Sequence, residues 1–374
     1  MNYHSASFAT AAIVTADVVR PEELDHSLLA IWQTLRAERP HYSNPFYDPH
    51  FTLAVGAVRK DARVAIFEAG GEVVGFLPYH DVGRAIAKPI GGHINDYHGA
   101  ILHRDFSPTD PALIAAAGIA AYDFNHLPAE PGMESSTLRA GGASPVMDLT
   151  GGYDAYLVAR GAEFDRRQAP QRRKLRKLAR EFGEVGFLFD SQAEIHANEH
   201  ARMRNDLYRA MGLRIGFGTG WEGEVFALLR ALPCESLRTV LSVLTAGGEV
   251  VAAHFGMVST GMLHWWFPAY DARAAKCSPG CSLLEACAAA AADQGVVAID
   301  FGRGEEGFKR HYATHAVPLL AGSVARPATL AAAIRTFGHR TIGPLEKALP
   351  SPLGTYPRRI ADRLVTGVGI PRIG

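Results

Sequence analysis

Ala69-Gly70-Gly71-Glu72-Val73-Val74 and Ala246-Gly247-Gly248-Glu249-Val250-Val251 are the same six residues, 177 positions apart. Ala121-Tyr122-Asp123-Phe124 and Ala298-Ile299-Asp300-Phe301 match at the same offset. Two matches in one register indicate an internal duplication of a unit near half the chain. Residues Arg63–Glu68 alternate before the first Gly-Gly pair and Val73–His80 return after it. Each copy therefore reads as a β-hairpin. Two like units form a groove between them, and ligand sites favour such interfaces.

The chain has 374 residues, 48% hydrophobic and 20% charged. That fits two globular domains of roughly 150–180 residues and excludes a disordered chain. Net charge is zero, which argues against a general polyanion binder and against DNA as partner. The charge is uneven, however. Residues 325–374 hold eight Lys/Arg against two acids, and residues 172–180 hold six cations in nine positions. Neither a signal peptide nor a membrane span is evident, so a cytoplasmic location is expected, peripheral at the inner membrane if the basic tail engages lipid. Cys234, Cys277, Cys281 and Cys287 fit no common zinc spacing, so they read as small thiols and no metal is expected.

Periodicity predicts helices over 22–39 and 49–58, then the first hairpin. A short strand near Gly99–Leu102, a helix from Pro111 and a strand at Ala121–Phe124 close the first unit near 150. Residues 153–182 read as a helical arm broken at Pro170, because proline is tolerated at a helix start but not inside one. The second unit is fuller: helices at Gln192–Met211 and Glu222–Leu232, then strands at Leu237–Leu244, Val250–Ser259 and Met262–Tyr270. A helix at Ser282–Gln294, a strand at Val296–Phe301, a short helix at Glu305–Ala313 and a strand at Pro318–Val324 complete it. Three antiparallel strands, a helix and then a parallel strand predict a mixed sheet with a helix crossing over it.

The carrying stretches are Val251-Ala252-Ala253-His254-Phe255-Gly256, Leu263-His264-Trp265-Trp266-Phe267-Pro268-Ala269-Tyr270-Asp271, Ser278-Pro279-Gly280 and Ile299-Asp300-Phe301-Gly302-Arg303-Gly304, with Phe308-Lys309-Arg310. In the first unit, Asn95-Asp96-Tyr97-His98-Gly99 and Asp123-Phe124-Asn125-His126-Leu127-Pro128 join them. With this element order, the chain resembles GNAT acyltransferases. More narrowly it resembles the CelD/BcsL-type acetyltransferases linked to cellulose and exopolysaccharide synthesis, over residues 44–322. The FemAB-like aminoacyl transferases are related tandem folds. The fold class implied is α/β, with α+β mixed sheets: tandem duplicated GNAT-like domains joined by a helical arm. The expected division is a degenerate acceptor-side domain at 1–150, the arm at 151–190, the acyl-CoA domain at 191–324 and a basic tail at 325–374.

The resemblance implies acetyl-CoA or another acyl-CoA as donor, and a saccharide or lipid-linked sugar as acceptor in the groove between the units. The alternatives are a FemAB-like transferase using aminoacyl-tRNA and an inactive scaffold of polysaccharide assembly. Acyl transfer needs a thioester carbonyl held by donors, a deprotonated acceptor and a proton for the leaving thiolate. Pro268 cannot donate to a ladder, so it marks an edge or a splayed neighbour; the family's pantetheine arm lies at such a splay. Backbone donors around Phe267, Pro268 and Ala269 are the expected thioester contact.

The family binds donor phosphates with Gln/Arg-x-x-Gly-x-Gly/Ala at a helix start. Cys277-Ser278-Pro279-Gly280-Cys281-Ser282 stands there, with Lys276 as the nearby cation. His254 is the candidate base; Asp300 is expected either to orient it or, since Asp123 repeats it in the first unit, to serve the fold. Tyr270 is the preferred acid and Tyr312 the other choice. Lys309 offers a phosphate or an acidic acceptor a cation. Asp96, His98, Asp123 and His126 are candidate acceptor contacts from the first unit. One of Trp265 and Trp266 should be core; Trp266 is expected to line the groove against a sugar. The arm at 172–180 reads as a solvated helix face. The tail reads as a flexible segment, or one that lies on an anionic membrane surface or holds a signalling nucleotide.

Overall fold

The computed structural model describes residues 13–133, 137–210, 212, 217–232, 234–304 and 307–333. The basic tail beyond 333, Met211 and Glu305 lie outside the described residues. The chain runs β1 (Val14–Val19), α1 (His26–Leu35), α2 (Pro49–Val58), β2 (Ala62–Ala69), β3 (Glu72–Asp81), β4 (Ile86–Pro89), β5 (Ile101–Leu102), α3 (Pro111–Ala116) and β6 (Ala121–Pro128). It continues with β7 (Leu138–Asp148), α4 (Tyr153–Phe182), β8 (Val185–Leu188), α5 (Glu194–Ala210), α6 (Gly220–Ala231), β9 (Arg238–Ala246), β10 (Glu249–Ser259) and β11 (Met262–Tyr270). Last come α7 (Pro279–Asp293), β12 (Ala298–Asp300), α8 (Gly307–Tyr312) and β13 (His315–Ala325). The described residues divide into two units: 13–42, 46–142 and 318–333, and 43–45 with 143–317.

In the first unit β1, β2, β3 and β4 pair antiparallel in that order, with β5 also on β3. β4 then meets β6 in parallel, and β6 meets β13 antiparallel. In the second unit β8, β9, β10 and β11 are antiparallel neighbours, β12 is parallel to β11, and β7 is antiparallel to β12. The order expected from the sequence, three antiparallel strands, a helix and a parallel strand, is β9-β10-β11-α7-β12. It is a mixed α/β fold of GNAT type.

The repeated hexapeptide folds the same way in both units. Gly70 and Gly71 have φ of 61° and 82°, Gly247 and Gly248 of 60° and 83°. Two successive positive φ angles make the tight turn that suits the strand twist, and glycine adopts them without strain. Three residues past the second glycine of each turn the ladders slip. Val74 is the extra residue of β3 and Val251 that of β10, again 177 apart and both buried.

Two readings needed correction. Helix α4 runs through Pro170; its non-helical residue is Gly161, with φ 71°. Pro170 is exposed, so water can reach the backbone carbonyl it leaves unpaired, whereas Gly161 adopts a left-handed angle that costs other residues more. The strand after α8, read as the end of the second unit, pairs with β6 of the first. Its place on β12 is taken by β7, which the sequence hid: Gly141, Gly142 and Pro145 interrupt any alternation. In the second unit's core, Leu178 of α4 and Leu283, Leu284, Cys287 and Ala288 of α7 pack with Trp265.

Candidate active site

β11 and β12 pair only at Met262↔Ala298, Leu263↔Ile299 and His264↔Asp300. β11 then continues from Trp265 to Tyr270. The other strand leaves with β7 instead: Phe301 N–H donates to Pro145 O at 3.0 Å and Gly304 N–H to Ala143 O at 3.3 Å. The strands fork at His264/Asp300, and Pro268 lies on the free arm. Lys309 pins the turn beyond the fork, donating to Gly302 O at 3.3 Å and Arg303 O at 3.0 Å. Its ammonium is buried against backbone, not presented to a phosphate as the sequence suggested.

Asp300 is fully buried at the fork. It accepts from Ser144 Oγ at 2.7 Å and Gly302 N at 2.8 Å, and lies 3.2 Å from His264 Nδ1. The Asn44 amide stands 3.3 Å from the same nitrogen. Asp300 is therefore coupled to His264, not to His254 as the sequence reading had it. Neighbouring strands bring the two together, each as the third residue of its strand.

His254 is sealed in the sheet, 0% exposed. Its ring stacks on Trp265 at 3.7 Å, and neither nitrogen has a hydrogen-bond partner of ordinary geometry. Burial holds its pKa well below the usual histidine value, and His200 and His264 add to that; the His264 carbonyl opposes weakly. A base must touch its substrate, so the structure removes His254 from that role.

The helix after the free arm starts at Pro279. Ser278, with φ 48°, precedes it; Cys277 is buried and Lys276 exposed. Two α4 side chains reach this start. Gln171 donates to Ser278 O at 3.2 Å and Ser282 Oγ at 2.9 Å, and Lys174 to Ser278 Oγ at 2.9 Å. The cation missing at Cys277 thus arrives from another helix. A Cβ on Gly280 would meet only Tyr270 Cδ1, at 3.8 Å. Packing does not demand glycine there; close approach of a ligand to the backbone would. Tyr270, 48% exposed, stands beside this helix start. Cys281 is half-buried, and burial raises its thiol pKa. Tyr312 is committed elsewhere: its hydroxyl donates to Glu285 at 2.5 Å, and burial raises its pKa.

On the opposite face α5 braces the free arm. His200 Nε2 lies 2.7 Å from Phe267 O, and Arg204 donates to Pro268 O at 2.9 Å. Burial pulls the His200 pKa down to about 4, partly opposed by the Phe267 carbonyl. Phe217, Phe226, Phe255 and Phe267 pack around Trp266 and His200, and both Trp265 and Trp266 are buried. Trp266 is core, so it offers no open face to a sugar. His200, Arg204, Gln171, Lys174 and His264 escaped the sequence reading. The i,i+4 and i,i+3 spacings of the two helix pairs were visible, but their targets are distant carbonyls and hydroxyls.

In the first unit β4 and β6 also part, after Ala87↔Tyr122. Their fork is filled by the chain itself. His98 N–H donates to His126 O at 3.0 Å, Gly99 N–H to Tyr122 Oη at 3.2 Å, and His98 Nδ1 accepts from Asn125 N at 3.3 Å. His98 Nε2 sits on Asn95 O at 3.0 Å. The space left between Pro89, Tyr97, His98 and Tyr122 has no room for a bound molecule. His98 thus fills a cleft and does not wait for an acceptor. His126 lies against Asn125 Oδ1 at 2.6 Å, Asp123 is ion-paired with Lys88 at 2.9 Å, and Asp96 is half-buried in the filling loop.

Residues 166–310 match the model of an acetyltransferase (GNAT) domain. That stretch lies inside the second unit. No curated protein matches the chain. Among solved structures it is similar to the C-terminal domain of a putative lysylphosphatidylglycerol synthetase from Agrobacterium fabrum, at 16% identity and a TM-score of 0.50, covering 83% of this chain and 94% of that one. FemX gives 10% identity and 0.48, covering 74% and 90%. A tandem GNAT protein from the clavulanic acid biosynthesis pathway gives 9% and 0.46, covering 84% and 99%. At these identities the likeness is one of fold.

Proposed function

We propose that the chain is an acyl-CoA-dependent acyltransferase with one donor site, at the fork of β11 and β12. The acyl group, acetyl or longer, goes to an amine or hydroxyl of a sugar or lipid-linked saccharide in exopolysaccharide assembly. The fork is the observation that carries the donor: it frees one strand arm beside a helix start that already holds Lys174. The acceptor class rests on the sequence resemblance, since Trp266 is packed away.

In this reading the helix start, through the Gly280 N–H since Cys281 N–H already donates to Ser278 O, holds the donor's pyrophosphate together with Lys174. Asp271 N–H donates to Val251 O in the same register, so the Ala269 and Phe267 N–H groups turn toward β10. Pro268 faces the fork without an N–H, and the thioester oxygen falls to the next fork-side N–H, that of Tyr270. His200 and Arg204 fix that segment by taking its carbonyls. Tyr270 gives its proton to the leaving thiolate.

Calorimetry with acetyl-CoA tests this. One site per chain is expected, with Lys174→Ala weakening it about tenfold, the loss of roughly 1.4 kcal/mol from one charge-assisted contact. Absence of binding to acetyl-CoA and longer acyl-CoAs sinks the reading. Binding of charged tRNA in its place would indicate an aminoacyl transferase. CoA binding without turnover on amine or hydroxyl saccharides would indicate a scaffold.

A further inference from the structure

Helix α4 carries a row of cations that the donor site does not use. Arg166, Arg173, Arg176 and Arg180 are exposed. The carboxylates of this segment are engaged with other cations: Glu163 with Arg167, Asp165 with Arg172 at 2.8 Å, and Glu181 with Lys177 at 3.8 Å. Lys174 is turned onto Ser278. Among the described residues no carboxylate pairs with the four arginines. At about 100° and 1.5 Å per residue they occupy an arc of about 80° along roughly 21 Å of helix. Ala162 and Ala169 share the arc, so the guanidinium groups stand above it.

We propose that this face of α4 docks on an anionic lipid bilayer. Guanidinium forks suit phosphodiester headgroups. The row is convex and carries no aromatic side chain, so it lacks the stacking platform of a single-strand nucleic-acid site. The first segment of the same helix exposes Val158 (82%) and Leu157 (38%). Exposed apolar side chains on the same element as the cations gain from a bilayer interface and gain nothing from a phosphate backbone. Each arginine near such a surface contributes about fivefold in affinity, so the four together contribute several hundredfold at low salt. The inference does not depend on the donor reading.

Co-sedimentation of the full chain with phosphatidylcholine vesicles, with and without about one-third phosphatidylglycerol, tests it. The wild type should sediment with anionic vesicles only, and less at high salt. A combined Arg166→Gln, Arg173→Gln, Arg176→Gln, Arg180→Gln variant should lose at least about a hundredfold. A control losing the same charge at the exposed, ion-paired Arg104, Arg202, Arg209 and Arg273 should bind as the wild type does. All substitutions are on the surface, and matching thermal melts show that each variant folds. The proposal falls if the wild type stays in solution, if the α4 variant still binds, or if the control loses as much. It also falls if polyuridylate RNA displaces the vesicles and binds more tightly with the same dependence on α4, which would make the partner a nucleic acid.

Discussion

Replacing Asp300 by alanine separates a residue that builds the fork from one that takes part in chemistry. The carboxylate takes Ser144 Oγ at 2.7 Å and Gly302 N–H at 2.8 Å, and lies 3.2 Å from His264 Nδ1. All of this is out of water. Without the carboxylate the Ser144 hydroxyl can rotate to another acceptor, but the backbone N–H and the ring nitrogen are fixed. Each stranded buried donor costs about 1–3 kcal/mol, so the two together cost about 2–6 kcal/mol. A unit of this size loses about 2–4 °C per kcal/mol, so Asp300→Ala should melt about 4–24 °C below the wild type. Asp300→Asn keeps an oxygen for Ser144 and Gly302 and should lose less than half as much. Calorimetric melts of the three proteins are the assay. If Asp300→Ala melts within about 2 °C of the wild type while turnover disappears, the carboxylate serves catalysis and the fork does not depend on it.

Gly256→Ala should be severely destabilising. Its Cβ would fall 2.4 Å from the His254 ring and 2.6 Å from the His264 carbonyl, and urea melts should show a loss of more than about 2 kcal/mol. Acid should destabilise the fold through buried histidines. Burial holds His200 at about 4 and His41 at about 3, against about 6.5 unfolded, so below pH 6.5 the unfolded chain binds more protons. Stability should therefore fall as pH drops from 6.5 toward 4, by up to about 1.4 kcal/mol per unit for each histidine. His200→Gln keeps a donor for Phe267 O but does not titrate, so the slope between pH 6.5 and 4 should flatten; an unchanged slope would clear His200. His254→Phe should fold and leave any turnover intact, because the position is closed to substrate; a loss of turnover at unchanged melting temperature would restore it as a catalytic group.

The second unit's plan was legible because its signals are local. The Gly-Gly turns, the alternating strands around them and the long helix before Ala298 need no tertiary information, and they fix the order β9-β10-β11-α7-β12. The fork was legible through Pro268, whose missing N–H forbids a full ladder. Side-chain partnership was not legible. Asp300 meets His264 because parallel strands align them, and nothing in either segment distinguishes His264 from His254 as the partner. Lys174 looked like one solvated cation among six; only the packing of α4 on α7 selects it. Strand β7 could not be read, because its pairing partner comes 150 residues later and its own composition resembles a loop.

The pairing of β6 with residues 319–325, and of β12 with residues 146–148, has a consequence for biosynthesis. A nascent chain that has emerged as far as residue 300 holds nearly all of the first unit but cannot finish its sheet. The edge of β6 stays bare until the last described strand leaves the ribosome, and an uncovered edge invites pairing with other chains. Any single scission between 149 and 297 reproduces that unfinished state permanently in one fragment and deprives the other of β7. The two halves resemble each other in plan, yet neither can be harvested as an independent folding module.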